Sequence, residues 1–510
     1  MFKRSAKSIR DRPGAQAMKS ELDDPLLTAW TNTIARAADR PAIFDVRGGV
    51  RRTFREVEMR AQVFAAQLEP FDAGEVLAIQ MGNHKDWPSI LLACLRKRLV
   101  VLPLEQSMAW QECETALRIC HAAAVVAPVS FVAAAVSAAE WSELPPETAA
   151  ATPQASPATE GIAVRMLAHT SVNWAGHAPS LLKLTSGTTA APRAICFRSE
   201  QLLADCIQIC DSMGIHEDDR NFAVIPVSHS YGFSNVITPL LARAVPIVLS
   251  DDRMPRAVLD HLAHSGATVF PGMPVFYQAF AEMENAPNLS HLRLCISAGA
   301  PLSVAAARKF REKFNQPIHS FYGSSECGGI CYDRAGTMFE QGFVGSPMNG
   351  VKLEWLDPDT SSSRVRVLSA AVADGYFPEP DEEKLGGGCF VPDDLLSETP
   401  QGLRIVGRIS DIINVAGKKV NPAEVEAELL RCAGVREAVV FGRPSSQRNE
   451  EVAACVVAAK EVKESDLLES CRRRLSGWQV PKRIFLIDQI PVNERGKFSR
   501  RELAQKFAAS

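Results

Sequence analysis

The sequence lacks the short motifs that identify several common enzyme classes. No C-x-x-C pair occurs among its thirteen cysteines, so neither a zinc ribbon nor a thioredoxin-like redox motif is supported. It has no G-x-S-x-G and no H-E-x-x-H sequence, which argues against serine hydrolase and zinc protease functions. A Walker A loop is also missing, because Gly417-Lys418 is followed by Lys419 and Gly496-Lys497 by Phe498.

An excess of charge of either sign is missing too. The 56 Lys and Arg residues against 59 Asp and Glu residues give a net charge of −3, without the basic surplus of a nucleic-acid-binding protein. The basic start has no apolar core of the kind found in secretory signals, and we interpret residues 1–24 as a flexible tail. The apolar stretch 122–139 is rich in Ala, which favours a core strand followed by a helix over a membrane span. We therefore expect a cytoplasmic protein with no transmembrane span and with buried, reduced cysteines.

What is present is a chain of 510 residues, long enough for several domains. Runs of β-branched or apolar residues alternate with helical patterns and end in turn residues, which is typical of buried parallel strands joined by helices. The sequence therefore predicts an α/β fold. The predicted strands are 99–104, 123–127, 221–226, 244–249, 267–270 and 292–297.

Other parts of the chain follow different patterns. The Pro-, Thr- and Ala-rich segment 143–160 is typical of a surface loop. Short strands separated by Asp, Pro and Gly from 351 to 408 predict a small antiparallel β-barrel. From residue 410 the chain has the size of a separate small domain. Its first helix is predicted to begin at Asn421 and Pro422 and to carry Val425, Leu429 and Leu430 on one face.

The segment 184–193 (LTSGTTAAPR) predicts a phosphate-binding loop. Four hydroxyl residues around a glycine supply N–H and O–H groups that can surround an anion, and an arginine adds positive charge. Taken alone, such a run is as often an ordinary loop, so that alternative stays open at this point. The residues of the predicted phosphate site are Thr185, Ser186, Gly187, Thr188, Thr189 and Arg193.

Seven further segments follow this loop in order. They are 226–232 (PVSHSYG), 297–302 (SAGAPL), 321–326 (FYGSSE), 394–395 (DL), 407–411 (GRISD), 417–422 (GKKVNP) and 491–497 (PVNERGK). This order resembles the adenylate-forming superfamily, which includes acyl-CoA synthetases, nonribosomal adenylation domains and firefly luciferase. The resemblance covers the chain from about residue 25 to its end and is closest to the acyl-CoA synthetases.

The resemblance implies a fold and a reaction. The expected fold is a large N-terminal domain, 25–409, of βαβ-type subdomains plus a small β-barrel, and a small mobile α+β C-terminal domain, 410–510, that turns at Ser410. The expected enzyme is an AMP-forming ligase of fatty acid metabolism. A fatty or aryl acid reacts with ATP to give an acyl-adenylate and pyrophosphate, and CoA then takes the acyl group and releases AMP. ATP, Mg²⁺ and CoA are the expected cofactors, with the phosphopantetheine arm of an acyl carrier protein as the alternative acceptor.

Two charged residues are expected to carry the first step. Two anions must meet, so a positioned cation is required. Lys497 lies in a loop before the last helix, where a flexible ammonium group can reach both reactants. By resemblance it is the catalytic lysine, and Glu326 is the magnesium ligand. Without the other motifs, Lys497 would be interpreted as a solvated lysine of a basic stretch.

The resemblance also assigns the nucleotide site. Tyr322 is expected to stack on adenine, and Asp394 and Arg408 to contact the ribose hydroxyls. An inter-domain salt bridge is the alternative role of Arg408. The other expected ATP-binding residues are Gly299, Ala300, Pro301, Phe321, Gly323, Ser324 and Ser325.

The acyl site is expected beside His229, which resembles the gating residue of the family and is assigned a catalytic role. A loop histidine with its hydrogen bonds satisfied is the alternative. The residues after His229 are uncharged, which disfavours an α-amino acid, and the small residues after Glu326 favour an apolar channel for an aliphatic chain or an aromatic ring. The expected pocket residues are His229, Tyr231, Gly232, Phe233, Asn235, Cys327, Gly328 and Gly329.

The acceptor site is expected in the C-terminal domain. Val415, Ala416 and Gly417 resemble the segment that lines the pantetheine tunnel.

The phosphate loop departs from the family pattern. Ala190 and Ala194 stand where the family usually has glycine, and Arg193 stands where it has lysine. These differences predict a stiffer loop and slower activity. A non-catalytic nucleotide or acyl-CoA binding protein is therefore a second hypothesis. A luciferase-like oxygenase is a third, for which no distinguishing residue is present.

Overall fold

The computed structural model of the protein describes residues 24–128, 142–143, 161–167, 169–174, 176–185, 193–338, 340–445, 449–491 and 499–507. Three expectations lie outside these ranges: the flexible tail up to residue 23, the Ala-rich helix after residue 128, and the surface loop from residue 144 to 160. The same holds for 186–192 of the predicted phosphate loop and for the segment that contains Lys497.

The first described stretch begins with helices whose N-termini are set by capping side chains. The Asp24 carboxylate accepts hydrogen bonds from the N–H groups of Leu26 and Leu27, both at 2.9 Å. Thr53 and Glu56 form a capping box at the next helix. In chain order the elements are α1 (Pro25–Ala37), β1 (Pro41–Phe44), β2 (Val50–Thr53), α2 (Phe54–Gln67), β3 (Val76–Ile79), α3 (Trp87–Arg96), β4 (Val100–Pro103), α4 (Trp110–Ile119), β5 (Ala122–Pro128), β6 (Ser142–Glu143), β7 (Ile162–Met166), β8 (Leu181–Leu184) and β9 (Ala194–Phe197).

The next stretch alternates strands and helices. Helix α5 (Ser199–Met213) ends at Gly214, whose φ of 63° is readily adopted only by glycine. The elements that follow are β10 (Asn221–Ala223), α6 (Ser230–Gly232), a π-helical turn (Phe233–Ile237), α7 (Thr238–Arg243), β11 (Ile247–Leu249), α8 (Pro255–Ser265), β12 (Val269–Gly272), α9 (Pro274–Glu282), β13 (Leu294–Ser297), α10 (Val304–Phe314), β14 (Ile318–Ser324), β15 (Gly328–Tyr332) and β16 (Phe343–Pro347).

Beyond residue 351 the strands are short and mostly antiparallel. They are β17 (Lys352–Trp355), β18 (Val365–Leu368), β19 (Gly375–Phe377), β20 (Leu385–Gly386), β21 (Cys389–Phe390), β22 (Asp394–Thr399) and β23 (Gly402–Arg408). After a 3₁₀ turn (Ile409–Asp411) come β24 (Ile413–Val415), β25 (Lys418–Val420), α11 (Pro422–Leu430), β26 (Val435–Ser445), β27 (Asn449–Ala458), α12 (Glu464–Arg474), β28 (Arg483–Leu486) and α13 (Arg500–Lys506).

Two large sheets form the N-terminal region. One has eleven strands in the order β2-β1-β11-β10-β12-β13-β14-β15-β16-β23-β22, with parallel pairing from β1 through β14. The other has eight strands in the order β19-β9-β8-β4-β3-β5-β7-β6, with parallel pairs among β5, β3, β4 and β8. Strands β3, β4 and β5 are buried along their whole length, as expected for strands covered on both faces. The predicted α/β fold is confirmed.

The antiparallel region predicted for 351–408 is divided among three sheets, because β19 pairs with β9 at the edge of the eight-stranded sheet. Strands β17, β18, β21 and β20 form a four-stranded antiparallel sheet. Strands β22 and β23 instead extend the eleven-stranded sheet, and a single bridge between Ser363 and Leu396 connects the two groups.

The C-terminal region packs helices α11, α12 and α13 on a separate sheet in the order β25-β24-β27-β26, with β28 paired to β27. Helix α11 begins as predicted, because the side chain of Asn421 accepts a hydrogen bond from the N–H of Ala423 and Pro422 follows. Val425 and Leu429 are fully buried, but Leu430 is 37% exposed. The prediction that Leu430 shares the buried face was wrong, because the helix ends at this residue.

The interior contains most of the large apolar side chains, although some, such as Met254 at 69%, are exposed. All thirteen cysteines are free and ten of them are buried, in agreement with the expectation of reduced core thiols. Within the described ranges, none of the helices is both long enough and apolar enough to cross a membrane.

Candidate active site

The first part of the candidate site is a carboxylate held by two side chains. The hydroxyl of Tyr322, at the end of β14, donates a hydrogen bond to Oδ2 of Asp394 at 2.8 Å. Nε of Arg408 donates to Oδ1 of the same carboxylate at 2.6 Å. Strands β22 and β23 are paired with Asp394 opposite Arg408, which fixes the distance between these two. The structure thus brings together the three residues that the sequence assigned to adenine and ribose.

Burial keeps this group ordered. Asp394 is 6% exposed and Tyr322 is 8% exposed. Burial, followed by the nearby Asp394 carboxylate, raises the pKa of Tyr322 well above its usual value, so the phenol stays protonated and remains a donor. Oδ2 of Asp394 also accepts a hydrogen bond from Nη2 of Arg408 at 3.5 Å, whereas Oδ1 keeps a second lone pair for a further donor, such as a hydroxyl of a vicinal diol.

The second part is the base of the predicted phosphate loop. Strands β8 and β9 are antiparallel neighbours, and the predicted segment connects them along the chain. The N–H of Thr185 donates to the carbonyl oxygen of Arg193 at 2.8 Å, and the Thr185 hydroxyl donates to the same oxygen at 3.1 Å. The loop is therefore closed at its base by two of the residues that the sequence assigned to it.

Arg193 is linked to the candidate magnesium ligand through an aromatic ring. Its guanidinium lies 4.3 Å from the ring centroid of Tyr376, and the Tyr376 hydroxyl donates to Oε1 of Glu326 at 3.0 Å. Ser324 donates to Oε2 of Glu326. Burial and then Glu326 raise the pKa of Tyr376, so this hydroxyl also remains a donor. Tyr376 was missed by the sequence analysis because it lies 50 positions from Glu326 and outside every motif.

The third part surrounds His229. Nε2 of His229 lies 3.2 Å from Oε2 of Glu105, a residue of which the side chain is only 7% exposed. Nη1 of Arg253 lies 3.5 Å from the other carboxylate oxygen. Arg253 also lines a cavity of about 250 Å³, together with Asn83, Gln106, Pro226 and Asp251. Glu105 and Arg253 were both missed, because each follows a buried strand without a recognisable motif.

The predicted acyl-pocket residues lie in two segments that are largely buried. Phe233, Asn235 and Cys327 are at most 1% exposed. The Tyr231 hydroxyl lies 3.3 Å from the carbonyl oxygens of Gly272 and Ile296, to which it donates. Gly232 directly precedes the π-helical turn, and a Cβ there would lie 2.2 Å from the carbonyl oxygen of Pro226. Such π-helical turns are frequent at functional sites because they shift side chains out of helical register.

The turn between β13 and α10, which the sequence predicts to bind the nucleotide, contains Gly299, Ala300 and Pro301. Gly299 has a φ of +85° and open space around its Cα, so a side chain there would be strained by the backbone conformation. Gly323 lies opposite Gly329 in the β14–β15 hairpin, and a Cβ on Gly323 would lie 2.7 Å from the carbonyl oxygen of Gly328. Phe321, next to Tyr322, packs against Tyr231 with ring centroids 5.8 Å apart. Ser325 lies in the turn between Ser324 and Glu326.

The predicted tunnel segment is the turn between β24 and β25. Val415 is buried, and Ala416 and Gly417 have φ values of 50° and 86°. Ser410, the predicted hinge, lies in the 3₁₀ turn directly after β23. Across this turn, the Nδ2 group of Asn421 donates to the carbonyl oxygen of Val406 at 2.8 Å, so α11 contacts β23 in this conformation.

A class of protein follows from this arrangement, because two α/β sheets followed by a small C-terminal α+β region are the architecture of adenylate-forming enzymes. The profile of the AMP-binding enzyme family matches residues 30–376, and that of the AMP-binding enzyme C-terminal domain matches residues 424–497. The chain belongs to the AMP-binding enzyme family, within its adenylate-forming acyl- and aryl-CoA ligases, which are acid–thiol ligases.

Individual relatives are distant in sequence but similar along their whole length. A feruloyl-CoA synthase from Amycolatopsis sp is 27% identical, over 94% of this chain and 99% of that protein. A long-chain-fatty-acid–CoA ligase from Escherichia coli O6:H1 is 25% identical, over 94% of both chains. Among solved structures, ATP-bound MatB from Rhodopseudomonas palustris is 21% identical and has a TM-score of 0.77, covering 94% of this chain and 99% of that chain.

Proposed function

We propose that the protein activates a carboxylic acid with ATP and transfers the acyl group to the thiol of CoA. The observation that carries the proposal is the buried Asp394 carboxylate, held by Tyr322 and Arg408. A second set of contacts links Arg193, at the phosphate-loop base, through Tyr376 to Glu326. A buried carboxylate with a free lone pair suits a hydroxyl group of a ribose. ATP-bound MatB is among the structures that share this fold.

The first step joins two anions. A carboxylate oxygen forms a bond to the α-phosphorus of ATP, the bond to pyrophosphate breaks, and an acyl-adenylate results. Negative charge that grows on the phosphoryl oxygens is stabilised by positioned donors and cations. We assign this role to Thr185, Arg193 and the other residues of the predicted phosphate loop, and to Lys497 as the cation that meets both reactants.

Magnesium fits the residues that are present. Glu326 offers a hard carboxylate oxygen, oriented by Ser324 and Tyr376, next to the phosphate loop. Within the described part of the chain, no cluster of three or more His, Cys, Asp or Glu side chains could enclose a metal ion alone. A magnesium ion at Glu326 would take its remaining ligands from phosphate and water, and would neutralise phosphate charge.

In the second step the thiol loses its proton, its sulfur bonds to the acyl carbon, and AMP leaves. CoA is the first choice of acceptor, with the turn of Val415, Ala416 and Gly417 as the approach. Basic residues of the C-terminal region could contact the CoA phosphates, but two of them already have acidic partners: Arg474 lies 3.5 Å from Glu428, and Arg483 lies 3.5 Å from Glu464. The phosphopantetheine arm of a carrier protein is the second candidate acceptor.

For the acid, the two candidates are a fatty acid and an aryl acid. Relatives named for each kind are equally distant from this chain. The absence of a charged residue from Ser230 to Asn235 disfavours an α-amino acid, because no carboxylate there pairs with a substrate ammonium group.

The test is a panel of fatty and aryl acids with purified protein, measuring pyrophosphate and AMP release with and without CoA. We expect pyrophosphate from a subset of acids and AMP release that is stimulated by CoA. Lys497→Ala should abolish adenylate formation but impair thioester formation from a supplied acyl-adenylate much less, while the matched variant Lys506→Ala should behave like wild type. ATP binding without turnover of any acid, in both wild type and Lys497→Ala, would instead identify a non-catalytic nucleotide-binding protein.

A further inference from the structure

Two buried charged residues lie outside the chemistry described above. Lys183 is on β8, two residues before Thr185, and Asp205 is on α5; each is 4% exposed. Charged side chains are almost never buried to this extent unless they are paired or bind something. Neither residue belongs to a motif of the sequence.

The Lys183 amine lies among aromatic rings. Nζ is 4.3 Å from the ring centroid of Phe197 and 5.5 Å from that of Phe233. Across the ranges that the structure describes, no hydrogen-bond acceptor lies within bonding distance of Nζ. Burial lowers the pKa of Lys183 to about 8, and the negative charge of Asp205 only partly offsets this effect. The amine therefore retains donors for which the protein supplies no acceptor.

The Asp205 carboxylate lies against the small residues after Glu326. Oδ1 accepts a hydrogen bond from the N–H of Gly329 at 3.0 Å. A Cβ placed on Gly328 would lie 2.0 Å from the same oxygen, so the carboxylate directly faces this glycine. Burial raises the pKa of Asp205, opposed mainly by the charge of Lys183.

The pair therefore borders both segments that were assigned to the acyl pocket. Lys183 is next to Phe233 on one side, and Asp205 is next to Gly328 and Gly329 on the other. A wholly apolar acyl group would leave the amine unsatisfied in a dry site, which carries a desolvation penalty. A hydroxyl group satisfies both residues, because it accepts a hydrogen bond from the ammonium and donates one to the carboxylate.

We propose that Lys183 and Asp205 determine substrate specificity by selecting acids whose acyl part carries a hydroxyl group. A hydroxyaryl acid fits this requirement best. This inference rests on the proposed function and narrows its substrate class. A site built to bind a hydroxyl group discriminates strongly against the analogue that lacks it, since its own polar groups are then left unpaired.

The alternative role of these two residues is purely structural, as buried opposite charges whose attraction stabilises the packing of β8 and α5. The two roles differ in one measurable quantity. A structural pair affects all acids equally when it is removed, whereas a specificity pair changes the ratio between hydroxylated and unsubstituted acids.

The experiment compares matched acids, such as 4-hydroxybenzoate with benzoate and 4-hydroxycinnamate with cinnamate. Affinity is measured by calorimetry and kcat/KM by pyrophosphate release. Wild type should favour the hydroxylated acid by about tenfold or more in both measurements. The preference for the hydroxylated acid should fall to about twofold or less in three variants: Lys183→Met, Asp205→Asn and the double variant, which removes both charges together. Asp219→Asn serves as the matched control, because Asp219 is 2% exposed, is paired with Arg293 and belongs to neither segment of the expected acyl pocket.

The outcomes separate this inference from the proposed function. If wild type turns over acids but shows no preference for the hydroxylated ones, the inference is overturned and the ligase function stays intact. The same conclusion follows if the preference is present in wild type and survives in the double variant. Calorimetry supports the inference if wild type binds the hydroxylated acids more tightly and Lys183→Met abolishes this preference. This holds even if no acid releases pyrophosphate, because the lack of turnover would refute only the proposed function.

Discussion

Nε2 of His229 lies 3.2 Å from Oε2 of Glu105, across 124 positions of sequence. Glu105 follows β4 in the eight-stranded sheet, and His229 follows β10 in the eleven-stranded sheet, so the contact joins the carboxyl ends of strands from both sheets. With an ionised carboxylate, Nε2 must carry the proton and donate it to the hydrogen bond. Glu105 thereby fixes both the orientation and the tautomer of the imidazole.

The first prediction concerns this contact. Glu105→Gln keeps the size of the side chain but removes the charge, and a hydrogen bond to a charged group is worth about 1 kcal/mol more than a neutral one. We expect kcat/KM for the acid to fall about five- to tenfold, with KM for ATP unchanged. Steady-state kinetics with each substrate varied in turn provide the measurement, and ¹⁵N spectra of histidine-labelled protein report the tautomer directly.

The control for this variant is Glu58→Gln. Glu58 is another partly buried carboxylate, bonded to Trp30 and Arg96, and lies away from the candidate site. It should lower the melting temperature without changing either KM. An unchanged His229 tautomer together with unchanged acid kinetics in Glu105→Gln would show that the contact does not orient the imidazole.

The second prediction separates the two partners of Asp394. Tyr322→Phe removes one donor but keeps the ring, so KM for ATP should rise about fivefold, as expected for the loss of one hydrogen bond. Asp394→Ala removes the group that we assign to the ribose and should raise KM for ATP about 100-fold. Tyr277→Phe is the matched control, because that hydroxyl donates to the carbonyl oxygens of Phe270 and Ile296 in the core. Equal effects of Tyr322→Phe and Tyr277→Phe on KM would argue against a nucleotide site here.

The third prediction tests Tyr376 as a positioning residue. Its hydroxyl donates to Glu326 while its ring contacts Arg193, so it couples the phosphate loop to the candidate magnesium ligand. Tyr376→Phe should lower kcat for adenylate formation about fivefold and raise the Mg²⁺ concentration needed for half-maximal rate. In a Glu326→Gln background the same change should have little further effect, as a double-mutant cycle would reveal. Additive losses in the cycle would mean that Tyr376 acts independently of Glu326.

The sequence predicted the local elements well, because their signals are local. The start of α11 follows from Asn421 and Pro422, and the strand after residue 121 from its run of apolar residues. A boundary failed where backbone conformation overrode composition: a strand was predicted from Ala244, but this residue has a φ of 54° and ends α7, so β11 begins only at Ile247. Leu430 likewise becomes exposed because its helix stops there.

The contacts that complete the candidate site could not be predicted from local patterns. Asp205 and Gly329 are 124 positions apart, and Tyr322 and Asp394 are 72 apart. The second pair was recovered because both residues lie in segments that resemble the family. The first was missed because Asp205 lies in the middle of an amphipathic helix, where an acidic residue usually faces solvent. A lysine within an apolar strand, as at Lys183, was the one sequence signal that could have drawn attention to this pair.

The last prediction is a pH dependence of stability that arises from Lys183. Burial lowers its pKa from 10.5 to about 8, so between these two values the unfolded chain binds more protons at this site than the folded protein does. The cost of burying the ammonium is fully present below pH 8 and decreases as the pH rises through 8 toward 10.5. The contribution of this residue to the free energy of unfolding should therefore rise by about 2 kcal/mol from pH 7.5 to 9.5.

Buried cysteines change the free energy of unfolding in the opposite direction near pH 9, because burial raises their pKa values and only the unfolded chain ionises there. The informative quantity is thus the difference between wild type and Lys183→Met in urea unfolding at each pH, since the cysteine contribution cancels. That difference should shift in favour of wild type as the pH rises, whereas parallel curves would place the Lys183 amine in a solvated environment.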